Sequence, residues 1–99
     1  MEVRFANDDL DRLETDPGFT MRLQPKLVST YRRRLQQIRA MKDERDLYAT
    51  KSLHFEKLQG QRQHQHSLRL DLQYRLIIEI RAESGSRWLL IVEIVDYHH

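Results

Sequence analysis

The sequence ends in Val-Glu-Ile-Val-Asp-Tyr-His-His, so a β-forming run gives way to Asp96, Tyr97, His98 and His99. Upstream lie His54, Lys57, Arg62, Arg69 and Arg75. The set holds imidazoles, guanidinia, an amine, a phenol and a carboxylate. It holds no obvious protein nucleophile. One reaction suits it well, the cleavage of RNA by its own 2′-OH. There the substrate brings the nucleophile, and the enzyme moves protons and steadies the phosphate. A positioned acid or base contributes about 10²–10⁴-fold. Arginines add fixed donors to phosphate oxygens.

Each residue also has an ordinary reading. Arg75 could pair with Glu79 or Asp71 on a sheet surface, and His54 could be a half-buried strand residue. His64 and His66 are two apart on an expected strand, but a Gln-rich stretch surrounds them and no carboxylate pair is near. No metal or other cofactor is expected. The case for a site is that several of these residues fall on one face.

The elements that must position them follow from periodicity. Met1, Val3 and Phe5 alternate with charged residues as a short strand. Asn7 or Asp8 caps a short helix that ends near Asp16-Pro17-Gly18. Pro25 opens a second helix, with Leu27, Val28, Tyr31, Leu35, Ile38 and Met41 on one stripe. Residues 43–48 predict a third, short helix. Strands are expected near 53–57, 65–71, 74–80 and 87–95, with turns at Asp71–Tyr74 and Glu83–Ser86.

The expected fold is therefore α+β: an N-terminal strand and helices packed on one face of a small, mainly antiparallel sheet. Alternation assigns Leu68, Leu70, Tyr74, Leu76, Ile78, Ile80, Trp88, Leu90, Val92 and Ile94 to the core. It puts His54, Glu56, Ser67, Arg69, Asp71, Arg75, Ile77 and Glu79 on an uncovered second face. Asp96, Tyr97 and His98 arrive at the end of the last strand.

Size and composition set limits. The 99 residues allow one domain, 1–99. The chain is 39% hydrophobic and 32% charged, too apolar for disorder. It has no apolar run long enough to span a membrane and no signal-peptide pattern at its start. Absent cysteines exclude disulfides and thiolate chemistry and fit the cytoplasm. Charge is segregated. Residues 1–16 carry six acids against two arginines, whereas 26–42 carry six cations and no acid. That basic stretch suits a polyanion, or it is solvated helix surface, the reading preferred for the triple arginine 32–34.

Three segments resemble those of HigB-type toxins of the RelE/ParE superfamily. Leu53 to Arg62, L-H-F-E-K-L-Q-G-Q-R, resembles L-H-P-L-K-G-x-R, with a longer spacing between lysine and glycine. Ser67 to Leu76 resembles W-S-I-R-V-N-x-x-W-R-I, and Val92 to His98 resembles the family's D-Y-H ending. Phe55, Asp71 and Tyr74 depart from the common proline, asparagine and tryptophan; His99 lies beyond the family ending.

The resemblance implies a type II toxin that cuts mRNA in the 30S A site of translating ribosomes. It implies a helix-turn-helix antitoxin as partner, and operator DNA reached only through that antitoxin. It assigns His54, Asp96 and His98 to proton transfer or its support and Tyr97 to stacking or acid–base work. Lys57, Arg69 and Arg75 would hold the phosphate, with Arg62 beside them. Two rivals share parts of this pattern: a ParE-like inhibitor of gyrase that cuts no RNA, and a non-enzymatic ribosome- or RNA-binding module.

Overall fold

A computed structural model describes residues 1–97. His98 and His99 lie outside the described residues. The elements run β1 (Glu2–Phe5), α1 (Asp8–Thr15), α2 (Pro25–Ala40), α3 (Glu44–Ala49), β2 (Glu56–Lys57), β3 (Gln65–Arg69), β4 (Tyr74–Glu83) and β5 (Ser86–Asp96). The sheet order is β1-β5-β4-β3-β2. β1 runs parallel to β5 and every other pair is antiparallel.

The helices begin where the sequence predicts. Asn7 caps α1, its side chain accepting from the Leu10 N–H at 3.0 Å. Pro25 occupies the first turn of α2, where its missing N–H costs nothing. Leu27, Val28, Tyr31, Leu35 and Ile38 of α2 are buried against the sheet with Leu10 and Leu13 of α1. The Tyr31 hydroxyl donates to the Leu10 carbonyl at 2.7 Å and so ties the two helices inside the core. Burial, then Glu14 and Asp11, push its pKa far up, so it stays a neutral donor.

Arg32 corrects the expectation of a solvated triple arginine. It donates to the carbonyls of Leu13, Asp16 and Phe19 at 2.8, 2.9 and 3.2 Å. These oxygens lie at the end of α1 and in the chain beyond it, where the helix dipole is negative. Arg39 binds Glu14 through two bonds, at 2.9 and 2.7 Å. Part of the basic charge of α2 is thus spent on docking the acidic α1.

Three sheet expectations are also corrected. First, residues 53–55 are not strand. Lys51–Leu53 form a 3₁₀ turn, and His54 ends it in the left-handed region at φ 47°, ψ 46°. Leu53 and Phe55 are nonetheless buried while His54 points out, because a reversal between two anchored apolar residues exposes what lies between them.

Second, β5 does not alternate throughout. Ile77 pairs with Glu93, but Ile78 pairs with Ile91, so Val92 is an unpaired extra residue. This bulge exchanges the faces of everything before it. Leu89 and Ile91 therefore join the core in place of Leu90 and Val92. Trp88 lies on the second face with the Arg4 guanidinium 3.9 Å from its ring. Ile94, beyond the bulge, keeps its core side.

Third, the second face is not open throughout. Ser67 and Ile77 are both fully buried on it. Their row is flanked by the long side chains of the Gln65–Glu79 and Arg69–Arg75 pairs. Arg62 reaches in from its loop to Gln65 at 2.8 Å and Glu93 at 3.6 Å.

The two hairpins explain how β3, β4 and β5 keep register. Asp71 accepts from the N–H groups of Gln73 and Tyr74 at 2.8 and 2.7 Å, an Asx turn that occupies its carboxylate. Ser84 and Gly85 both take positive φ, 50° and 84°, in a two-residue hairpin loop whose twist matches the strands.

Candidate active site

Adjacent residues of the register build the site. Arg69 of β3 faces Arg75 of β4, and Arg75 faces Val95 of β5. One step beyond Asp96, Tyr97 returns to that same face. The Arg75 guanidinium lies 5.7 Å from the Tyr97 ring centre. The His54 backbone reversal brings its imidazole over the arginines. Arg69 Nη1 is 3.1 Å from His54 Nε2, and Arg75 Nη1 donates to the His54 carbonyl at 3.4 Å.

An arginine can only donate. His54 Nε2 must therefore accept, so in this arrangement the imidazole is neutral with its proton on Nδ1. A bare Nε2 is a base. Its partner Arg69 has no carboxylate within ion-pair distance among the described residues, and its Nε is buried without an acceptor there. A buried donor without an acceptor is costly, and an anion entering the cluster would relieve it. Arg75 has a distant acid, Glu56, at 3.9 Å.

The structure thus brings together His54, Arg69, Arg75 and Tyr97. It adds Glu56, which the sequence reading placed on this face but did not single out. The signal was available: Glu56 stands two residues after His54 on the same side of the chain.

Other expected residues lie elsewhere. Lys57 pairs with His66 across β2 and β3 and shares its side of the sheet. Arg62 is held by Gln65 and Glu93, farther along the second face. Asp96 pairs with Tyr74 and so lies on Tyr74's face, where Gln73 donates to it at 3.1 Å. His98 falls outside the described residues. His64 lies 3.7 Å from Glu79 while His66 meets Tyr48 at 3.0 Å, so the two imidazoles do not converge. No group of three metal-binding side chains occurs among the described residues.

The cluster sits on sheet surface. A cleft of about 420 Å³ lies elsewhere, beside Lys42–Arg45 and Arg87, where Arg87 pairs with Glu44 at 2.6 Å and Arg45 with Asp43 at 2.9 Å. A broad basic surface suits a polymer laid across it better than a small enclosed ligand.

Comparison with known proteins identifies the fold and the family. The fold is that of a RelE/ParE-type toxin. A solved structure titled YoeB/ParE toxin from Agrobacterium tumefaciens aligns over 100% of both chains, at 16% identity and a TM-score of 0.59. The model of the HigB-like toxin family, "RelE-like toxin of type II toxin-antitoxin system HigB", matches residues 3–98, and the chain belongs to that family. No curated protein matches. Membership makes this a type II toxin and implies an antitoxin partner. Among the described residues no helix is long and apolar enough to cross a membrane.

Proposed function

We propose that residues 1–99 act as a single toxin domain that cleaves mRNA on the ribosome, in the 30S A site, without a metal. A helix-turn-helix antitoxin holds it inactive. The observation that carries this reading is the His54–Arg69–Arg75 cluster: two guanidinia meet one neutral imidazole, and one of them lacks an acid partner. A phosphodiester is the anion that needs both parts.

In the proposed reaction the 2′-oxygen attacks phosphorus and loses its proton to His54 Nε2. The bond to the 5′-oxygen breaks, leaving a 2′,3′-cyclic phosphate and a 5′-hydroxyl. Arg69 and Arg75 stabilise the added charge on the phosphoryl oxygens. His98 is the proposed acid for the leaving oxygen, and Asp96, which shares the face of Tyr74, is left out of the chemistry. Tyr97, beside the Arg75 cation, packs on a base or assists the proton transfer. Lys57 and Arg62 lie outside the cluster and fit the flanking backbone of a longer strand.

The test is cleavage of mRNA in a purified translation system, with the new ends mapped. Ends at codon boundaries that appear only with ribosomes are expected. Arg69→Ala and Arg75→Ala should each lose about 10²–10³-fold in rate, the size of a lost oxyanion donor. Intact mRNA together with a supercoiling defect would replace this reading with gyrase inhibition. Ribosome binding with mRNA intact and supercoiling normal would leave a binding module.

A further inference from the structure

His66 takes no part in the cluster, yet its surroundings are unusually specific for a strand residue beside a two-residue edge strand. It is 8% exposed. Its ring stacks on Phe55, with centres 4.8 Å apart and planes within 4°. Its Nε2 is 3.0 Å from the Tyr48 hydroxyl of α3, and its Nδ1 is buried without a partner among the described residues. Tyr48 in turn meets Phe55 edge-on at 4.9 Å. Three rings from α3, the His54 loop and β3 therefore close on one another.

Phe55 stands between His54 and Glu56. His54 occupies a left-handed conformation, which a residue with a Cβ keeps only when its surroundings over-determine it. The hydrogen bonds to Arg69 and Arg75 come from long side chains and do not fix the backbone by themselves. The rigid constraints are the turn bond from the His54 N–H to the Lys51 carbonyl at 3.1 Å and the two buried neighbours, Leu53 in the core and Phe55, which joins the core and stacks on the His66 ring.

We infer that His66 is a positioning residue for the site: its ring, locked by the Tyr48 hydroxyl, holds Phe55 and thereby keeps His54 where Nε2 meets Arg69. The role in catalysis rests on the reading of His54 as the proton acceptor; the geometric role does not.

The test follows the His54 imidazole by ¹H–¹⁵N correlation, in parallel with ribosome-dependent cleavage by the full chain. In the parent, His54 should show the Nδ1–H form, the minority tautomer of free histidine. His66→Ala and His66→Leu should return it to the ordinary Nε2–H mixture. Turnover should fall at least tenfold while RNA affinity stays within twofold, because Arg69 and Arg75 remain. His66→Phe, which keeps the stacked ring but loses the bond to the Tyr48 hydroxyl, should shift the His54 spectrum less than His66→Ala does and in the same direction as Tyr48→Phe.

An unchanged His54 spectrum in folded His66→Ala would overturn the inference, as would an Nε2–H form in the parent. Should the alanine and leucine variants fail to fold, Tyr48→Phe decides, since it removes only the hydroxyl: a shifted His54 spectrum supports the inference and an unchanged one overturns it. A parent that does not cut RNA would defeat the proposed function, and the His54 spectrum would still answer for His66.

Discussion

Arg69 and Arg75 look alike in sequence but differ in setting. Arg75 has Glu56 at 3.9 Å and the Tyr97 ring beside it, whereas Arg69 meets the His54 imidazole and, among the described residues, no carboxylate. Glu56→Gln should therefore leave the Arg69 contact in place and alter Arg75. It is expected to change cleavage by less than Arg69→Ala does, as a side-by-side rate comparison would show. At this scale the sequence was informative where chemistry and face coincide: His54, Arg69, Arg75 and Tyr97 meet as expected. It misled for Asp96, because adjacent strand residues point to opposite faces and only one of Asp96 and Tyr97 can face Arg75. Lys57 separates from His54 for the same reason, since it follows Glu56, which lies on the site face, and so turns to the other side with His66.

Among elements, the α1–α2 contact and the β5 bulge make the clearest predictions. Arg32 supplies three hydrogen bonds to carbonyls beside α1, while Arg33 lies on the exposed side of α2. Arg32→Ala should destabilise the fold by about 1–3 kcal/mol, the range for partly buried charged donors, and Arg33→Ala by less than about 0.5 kcal/mol. Urea unfolding of the two variants checks this. Deleting Val92 removes the bulge but leaves Ile91 and Glu93 as consecutive partners of Ile78 and Ile77, so the later residues of β5 keep their faces. The deletion should therefore still fold and cleave, much as Val92→Ala does, which melting curves and rate measurements of the two variants check. Helix starts were legible because caps and prolines are local signals. The bulge was not, since an extra residue within Trp88 to Val92 leaves a five-residue apolar run, WLLIV, that fits either register.

For the molecule as a whole, His66 couples stability to pH. Burial and then the nearby Lys57 lower its pKa in the folded chain, and Glu44 opposes them. Tyr48 and Phe55, the other groups packed on it, carry no charge near neutrality. The unfolded chain, with an ordinary histidine pKa of about 6.5, takes up a proton first as pH falls. Stability from neutral His66 is thus fully present above that pH and declines as pH drops through the lower folded value. Replacing His66 with Phe should flatten this part of the decline, measured by urea unfolding between about pH 7 and 5. The α+β layering was legible throughout, as helices and strands separate along the chain. The position of β1 was not: nothing in five residues says that they pair in parallel with the last strand.

That pairing bears on how the protein comes into being. β5 lies between β1 and β4, so neither edge of this part of the sheet is satisfied until the final strand is inserted. β5 also leads directly into Tyr97, on the face of Arg75. Chains are made from the N-terminus and fold as units once their partners have emerged. The growing polypeptide therefore carries His54, Arg69 and Arg75 without the strand that completes their surface. If the proposed target is the ribosome, a growing chain carries the two arginines and His54 before it carries their completed surface, and the hazard begins only once β5 has emerged and paired.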